Sequence, residues 1–321
     1  MKKFLIKVGL FLLPALLFIF LADLCLTFAL KKSKHKLYVV WNDIVGGKLN
    51  ADVWVIGSSR ARAHIDSKVL EDSLGMNVYN LGLDGYTFDM QYCRFKLAMA
   101  KNKKPAYIIH SLDYGTFTKN PELYQPEQFT PYFNEPILTK NMRDYAGFNS
   151  WDYSLPLVRF VGQHEQILHA LKISLRPSGN KGNRYKGFYS TYIPWTNEFE
   201  EARKKNPHLI QPVDTGYQRL FEQYLQEVNK LGIKLIFVFS PVYIEGQEYI
   251  SNSKDLLHTF STYSKKHHIP FFDYSNDSIC FNKSFYYNTT HLQKSGADVF
   301  SRKLGHDLKE KNLFPANLSN N

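Results

Sequence analysis

The sequence predicts an α/β protein: a three-layer α/β/α sandwich around a mainly parallel five-stranded sheet, preceded by one transmembrane helix. Three observations predict this. Five short apolar runs are spaced along the chain from Ala51 to Asp273. Helical patterns alternate with them, which is the rhythm of a parallel sheet covered on both faces. Ahead of them lies a long apolar stretch, Val8–Leu30, with Asp23 as its one charge.

The N-terminal stretch reads VGLFLLPALLFIFLADLCLTFAL. As a helix it would span ~35 Å at 1.5 Å per residue, enough to cross a bilayer core. It is too long for the apolar region of a signal peptide, and no A-x-A cleavage pattern follows. Ala-Asp-Leu before Cys25 lacks the small residue expected ahead of a lipid-modified cysteine. Residues 1–36 therefore read as a membrane anchor and 37–321 as the main domain. Lys2, Lys3 and Lys7 precede the helix, and Lys31, Lys32, Lys34 and Lys36 follow it, so charge alone does not set its orientation.

Each sheet element follows in turn. The strands are read at Ala51–Gly57 (ADVWVIG), Asn77–Leu81, Pro105–Ser111, Ile233–Ser240 and Ile269–Asp273. The helices are read at Asp66–Leu74, Asp89–Asn102, Asp214–Leu231, Ser253–His267 and Gln293–Lys311, with Asp66 as an N-cap and Gly232 closing the third. Lys119–Ile210 breaks the rhythm and is rich in aromatics, Asn and Pro. A segment so long and irregular is read as an insertion, either a cover for the sheet edge or a substrate-binding element. The tail beyond Phe314 is expected to fray.

The net charge of +11 is not a nucleic-acid signature. In the first 36 residues seven Lys against one Asp leave +6, a juxtamembrane collar, and the remaining +5 is scattered. With no RNP, zinc-finger or helix-turn-helix pattern, no nucleic-acid partner is expected. Cys25, Cys93 and Cys280 form no C-x-x-C pair, so neither a zinc site nor a redox pair is expected. Cys93 and Cys280 read as buried free thiols, with a disulfide outside the cytoplasm as the alternative.

Three segments carry chemistry. The first strand runs into Gly57-Ser58-Ser59-Arg60, a serine on a glycine turn at the carboxyl end of a parallel strand, where ligands bind in such sheets. The second runs into Asn80-Leu81-Gly82-Leu83-Asp84-Gly85-Tyr86-Thr87. Near the C-terminus stands Asn288-Thr289-Thr290-His291-Leu292, then Ser295-Gly296-Ala297. Taken singly, Ser58 and Ser59 are helix caps, the glycines form an ordinary turn, and His291 is one of 11 histidines. A serine next to a histidine base is the arrangement for nucleophilic catalysis.

In this order the three segments resemble the SGNH (GDSL-like) hydrolase superfamily, with its flavodoxin-like fold, from Ala51 onward and excluding the insertion. GSSRA followed by His64-Ile65-Asp66 is similar to membrane-anchored SGNH-like proteins that accompany acyl transfer to bacterial cell-surface polymers, as in alginate acetylation or teichoic-acid D-alanylation. The resemblance implies Ser59 as nucleophile, His291 as general base, and the Gly85 and Ser59 N–H groups as the oxyanion hole. It places Asn288 where the family has the Asp of its triad, and Asp113 nearest the family's Asn oxyanion donor. His64 reads as structural or substrate-contacting, and Arg60 and Arg62 as a solvated face or a contact for an anionic sugar. The activity implied is an O-acyltransferase or esterase acting on an envelope polysaccharide, with a non-catalytic scaffold of the same fold as the alternative. No metal or organic cofactor is implied. The expected partners are the membrane, the polysaccharide and a membrane-bound acyl exporter. The expected location is a single-pass protein of the cell inner (cytoplasmic) membrane with its main domain periplasmic.

Overall fold

The computed structural model describes residues 1–175, 184–189 and 192–314. Part of the insertion, 176–183 and 190–191, and the tail at 315–321 lie outside the described residues. The chain divides into two compact units: Met1–Gly46 with Pro121–Lys181, and Gly47–Asn120 with Gly182–Asn321.

The second unit holds the sheet. Its strands are β1 (Val53–Gly57), β2 (Val78–Asn80), β3 (Tyr107–Leu112), β4 (Lys234–Phe239) and β5 (Phe271–Asp273). Every pairing is parallel and the order is β2-β1-β3-β4-β5. This is the doubly wound, flavodoxin-like order, in which the chain reverses direction across the sheet between β1 and β3. The expected five-stranded sheet is thus present, with strands a residue or two shorter than their apolar runs.

Alternation along the strands builds two cores. Val53, Val55, Ile109, Ile236 and Val238 pack with Leu70 of one helix and Ala297, Phe300 and Leu304 of another. The opposite face is aromatic, and His110 of β3 lies among Phe88, Phe221, Tyr224 and Phe237. Each fully buried Val, Ile, Leu or Phe stabilises the fold by roughly 1.5–3 kcal/mol. Helices cover both faces: α2 (Ser59–His64), α3 (Ser67–Leu74), α4 (Phe88–Lys101), α5 (Thr215–Lys230), α6 (Ser253–His267) and α7 (Lys294–Glu310), taking α1 as the N-terminal helix Lys2–Lys31.

The ends of these helices follow from single residues. The Asp66 carboxylate accepts from the Lys68 and Val69 amides at 2.8 and 3.3 Å and starts α3. The Asp214 carboxylate does the same for α5 through Gly216 and Tyr217. Such caps contribute about 1 kcal/mol each.

The first unit is built on α1, long and apolar enough to cross a bilayer, with a mean hydropathy of 2.6 over its most apolar window. Asp23 is paired with Arg159, and its other oxygen accepts from the Leu157 amide at 2.9 Å. Asn42 donates to the Leu30 and Ser33 carbonyls, which ties off the end of α1. The helix His164–Leu175 packs along α1. It exposes Leu168, Leu171 and Leu175, and Val161 is exposed just before it.

Residues 119–210 contribute to both units. The part from Pro121 belongs to the first, whereas the antiparallel hairpin Arg184–Tyr189 and the helix Glu198–Lys205 belong to the second. Cys93 and Cys280 are buried and not joined in a disulfide, and burial raises both thiol pKa values, that of Cys93 to about 12.

Candidate functional site

The site lies beyond the carboxyl ends of β1 and β2, beside the switch point where open α/β sheets bind ligands. Gly57 ends β1 at φ +151°. A Cβ there would meet the Ser111 carbonyl at 2.6 Å and the Ala61 Cβ at 2.8 Å, so only glycine lets the chain turn this tightly into α2. The two serines after it take separate roles. The Ser58 hydroxyl caps α2 by accepting from the Arg60 amide at 3.3 Å. The Ser59 hydroxyl is 2.7 Å from Nε2 of His291.

His291 stands on the second strand of a small hairpin, Tyr286–Asn288 with His291–Leu292. Its Nδ1 is 3.0 Å from Oδ1 of Asn288 and 3.0 Å from Oγ1 of Thr290. The same Asn288 oxygen accepts from the His291 amide at 2.9 Å and the Thr290 amide at 3.1 Å. An oxygen surrounded by N–H groups is an acceptor, which assigns the proton to Nδ1. Nε2 then carries the lone pair facing Ser59. The tyrosine ring of Tyr287 lies parallel to the imidazole, 7° between planes and 5.4 Å between centroids.

A buried network fixes the hairpin. Nε2 of His64 accepts from the Leu292 amide at 3.0 Å, and its Nδ1 donates to the Ser240 hydroxyl at 2.9 Å. Arg60 donates to the carbonyl and hydroxyl of the same Ser240 and stacks 4.4 Å from the Phe239 ring centroid. Burial, with Arg60 and His291 nearby, holds the His64 pKa well below the usual value, so it stays neutral and keeps both roles. Of the two readings of His64, the structural one fits: it is fully buried. Arg60 is buried too and does not lie on a solvated face.

Gly85 sits in an exposed turn at φ +74°. Its loop is tied to the start of α2. The Leu83 amide donates to the Gly57 carbonyl at 2.9 Å, and Arg62 pairs with Asp84 at 2.7 Å. Asn80 donates to the Ala61 and Ile65 carbonyls, and its own oxygen accepts from the Gly82 amide. A Cβ at Gly82 would come within 2.4 Å of the Arg62 nitrogen, so this loop and α2 meet backbone to backbone. Neither the Ser59 nor the Gly85 amide makes a hydrogen bond among the described residues.

Ser59, His291 and Asn288 therefore form one continuous hydrogen-bonded chain, and Gly85 joins it only through its loop. Asp113 does not orient His291. Its carboxylate accepts from the Gly115 amide at 2.8 Å, closing the turn after β3, and its charge acts on Arg60. Burial, then Arg62 and Arg60, push the His291 pKa down to about 3. The imidazole is thus neutral at physiological pH, and no carboxylate among the described residues is hydrogen-bonded to it to stabilise its protonated form. Thr290, Tyr287 and Ser240 were not singled out from the sequence. Thr290 is signalled by its place beside His291; no local pattern marks the other two.

No protein-family model matches the chain, and no curated protein matches it significantly. Solved structures do match. A structure assigned to the G-D-S-L lipolytic family from Desulfitobacterium hafniense shares 13% identity at a TM-score of 0.40, over 79% of this chain and 97% of its own. A GDSL-like lipase from Bacteroides thetaiotaomicron shares 13% at 0.34, over 81% and 88%. A structure assigned as an acylhydrolase from Bacteroides fragilis shares 14% at 0.33, over 81% and 86%. At likeness this low, any functional reading rests on the site geometry above.

Proposed function

We propose that this chain is a membrane-anchored SGNH-like serine acyltransferase or esterase acting on an envelope polysaccharide. The observation that carries the reading is the 2.7 Å contact between the Ser59 hydroxyl and Nε2 of His291, with Asn288 holding the imidazole from the far side.

The chemistry follows from that geometry. Ser59 Oγ attacks the ester carbonyl carbon as its proton passes to Nε2 of His291. The ester C–O bond breaks and the leaving oxygen takes the proton back from Nε2. A sugar hydroxyl or water then gives its proton to Nε2 and attacks the acyl carbon; the bond from that carbon to Ser59 Oγ breaks, and Oγ takes the proton back from Nε2. The Ser59 and Gly85 amides serve as oxyanion donors, an interaction that commonly supplies 2.7–4 kcal/mol per donor. Asp113 is not used as such a donor: its carboxylate accepts from the Gly115 amide.

The length and apolarity of α1 support the anchor, as do the exposed apolar side chains at Val161–Leu175 in the same unit. The main domain is placed in the periplasm, held at the inner membrane beside a growing polymer. There a membrane-bound partner would export acyl groups, since activated acyl donors are cytoplasmic.

A second reading has its own observation. Asn288 and the depressed His291 pKa suit a retained fold with a binding or scaffold role in an envelope-polymer assembly complex. Labelling with a fluorophosphonate decides between the two. Full-length protein labelled once, with loss of the label in Ser59→Ala and strong reduction in His291→Ala, supports the enzyme. No label on the folded protein, with wild-type phenotype kept by Ser59→Ala, leaves the scaffold.

A further inference from the structure

We propose that residues 155–175 of the insertion form a second membrane element, an arm whose turn dips among lipid acyl chains beside α1. The helix His164–Leu175 would then lie along the membrane boundary. This rests on the anchor reading above and goes beyond it, because a single span requires no second element.

The inference starts from depth along α1. Asp23 is the one charge of the apolar stretch and stands seven residues before its end at Leu30. At 1.5 Å per residue that is ~10 Å inside the stretch. Two groups of the insertion meet Asp23 at that level. The Leu157 amide donates to one carboxylate oxygen at 2.9 Å, and Arg159 pairs with the other. Arg159 also donates to the Thr27 hydroxyl at 2.8 Å. Further along, the Ser33 hydroxyl is 2.8 Å from Nε2 of His169, just past the end of α1. The arm thus follows α1 from within its apolar stretch to its end. Leu157, at φ +66°, stands in the turn between the helix Ser150–Ser154 and the 3-10 turn Val158–Phe160. A turn and an arginine at this depth need protein partners, since hydrocarbon offers none. Asp23 supplies one to each, and the Arg159 guanidinium lies 5.3 and 5.7 Å from the Phe160 and Phe133 ring centroids.

The arm turns apolar groups outward. Val161 is 78% exposed and Leu175 82%, and Leu155, Leu168 and Leu171 are exposed as well. Leu168, Leu171 and Leu175 recur at i, i+3 and i+7, one stripe of their helix. That helix packs along α1, whose own outward side chains include Leu16, Leu17, Phe20, Leu24 and Phe28. Lipid that covers the end of α1 therefore meets the arm packed beside it. Trp151, exposed just before the arm, is of the type that favours the membrane–water boundary. Lys172 on the same helix and Lys31, Lys32, Lys34 and Lys36 after the apolar stretch are placed to meet headgroup phosphates. The level of the Asp23 contacts favours acyl chains as the occupant. A transmembrane helix of a partner protein is the competing occupant.

Depth-sensitive quenching separates the two. The full-length chain carries Cys25→Ser, with Cys93 and Cys280 buried, and one added cysteine at a time. Val161→Cys and Leu171→Cys probe the arm, Leu24→Cys probes α1 beside Asp23, and Lys254→Cys marks an exposed helix of the sheet unit. Each folded protein is labelled with a thiol-reactive nitrobenzoxadiazole dye and reconstituted alone in phosphatidylcholine vesicles, with or without a nitroxide at carbon 5 of the acyl chain. The expected result is that the dye in Val161→Cys and Leu171→Cys loses at least half as much fluorescence to the nitroxide as in Leu24→Cys, with blue-shifted emission, while Lys254→Cys loses little. Quenching of both arm positions no greater than that of Lys254→Cys, with Leu24→Cys quenched, overturns the arm and leaves the stripe to a protein partner. No quenching at any position refutes the anchor reading itself, and the arm with it, so the two failures are distinct. Circular dichroism and the melting temperature confirm the fold of each labelled protein, and Leu175→Cys replaces an arm site that disturbs it.

Discussion

Asn288→Asp is the most informative single change in the site. Oδ1 of Asn288 already accepts from two amides and lies 3.0 Å from the Nδ1 of His291. Its Nδ2 makes no hydrogen bond among the described residues, so a carboxylate fits without losing a protein partner. An opposite charge at this distance raises a histidine pKa by roughly 1–3 units, each unit being about 1.4 kcal/mol. The wild-type base, held near 3, would move to between ~4 and ~6, closer to the range in which a general base works well. Turnover should rise by ~10- to 1000-fold, short of the ~10⁴-fold that the reverse change costs in a serine protease. The assay is hydrolysis of 4-nitrophenyl acetate from pH 4 to 9, read as kcat/KM, which reports the free enzyme. Activity of the wild type should be flat down to about pH 4. In the variant an acid limb should enter the measured range. A folded variant with unchanged rate and no new limb would refute the roles given to Asn288 and His291.

Further outcomes follow from the same structure. Gly57→Ala should lower stability by about 1–3 kcal/mol through backbone strain and abolish Ser59 labelling, measured by thermal unfolding beside the probe. His64→Ala leaves the Leu292 amide unpaired in the interior, which costs about 1–3 kcal/mol, and should lower kcat with little change in KM. Because burial holds the pKa of His110 at about 3, against about 6.5 when unfolded, the native state binds fewer protons in that window. Stability should therefore be full above about pH 6.5 and fall as the pH drops below it. His110→Phe should flatten the slope of melting temperature against pH there. Asp23→Leu strands Arg159 in a largely covered position and should destabilise the first unit by about 1–3 kcal/mol, less than a fully buried pair because both partners keep some solvent.

The sheet was legible because its strands are buried on both faces, and such strands read as continuous apolar runs ended by Gly, Pro or Asp. The Asp66 cap was legible because it is local, its carboxylate serving the amides two and three residues on. Ser59, His291 and Asn288 were legible only together, since each alone is an ordinary cap, turn or surface residue. What stayed hidden depends on contacts between distant parts of the chain. Nothing near His64 announces that it accepts from Leu292, and nothing near Arg184 announces that a hairpin of the insertion sets it beside Arg62. Asp113 shows the reverse case. Its place after β3 is that of the family's oxyanion donor, but its carboxylate is taken by the Gly115 amide two residues on, a local bond that closes the turn.

The central claim is that Ser59 carries an acyl group. Rapid mixing of the full-length protein with 4-nitrophenyl acetate tests it most directly, followed by quenching and peptide mass spectrometry. The expected result is a burst of nitrophenolate approaching one per protein, with the acetyl group found on Ser59 and absent in Ser59→Ala. A linear release with no burst, together with no acetyl group on Ser59 in quenched samples of the folded protein, would contradict it.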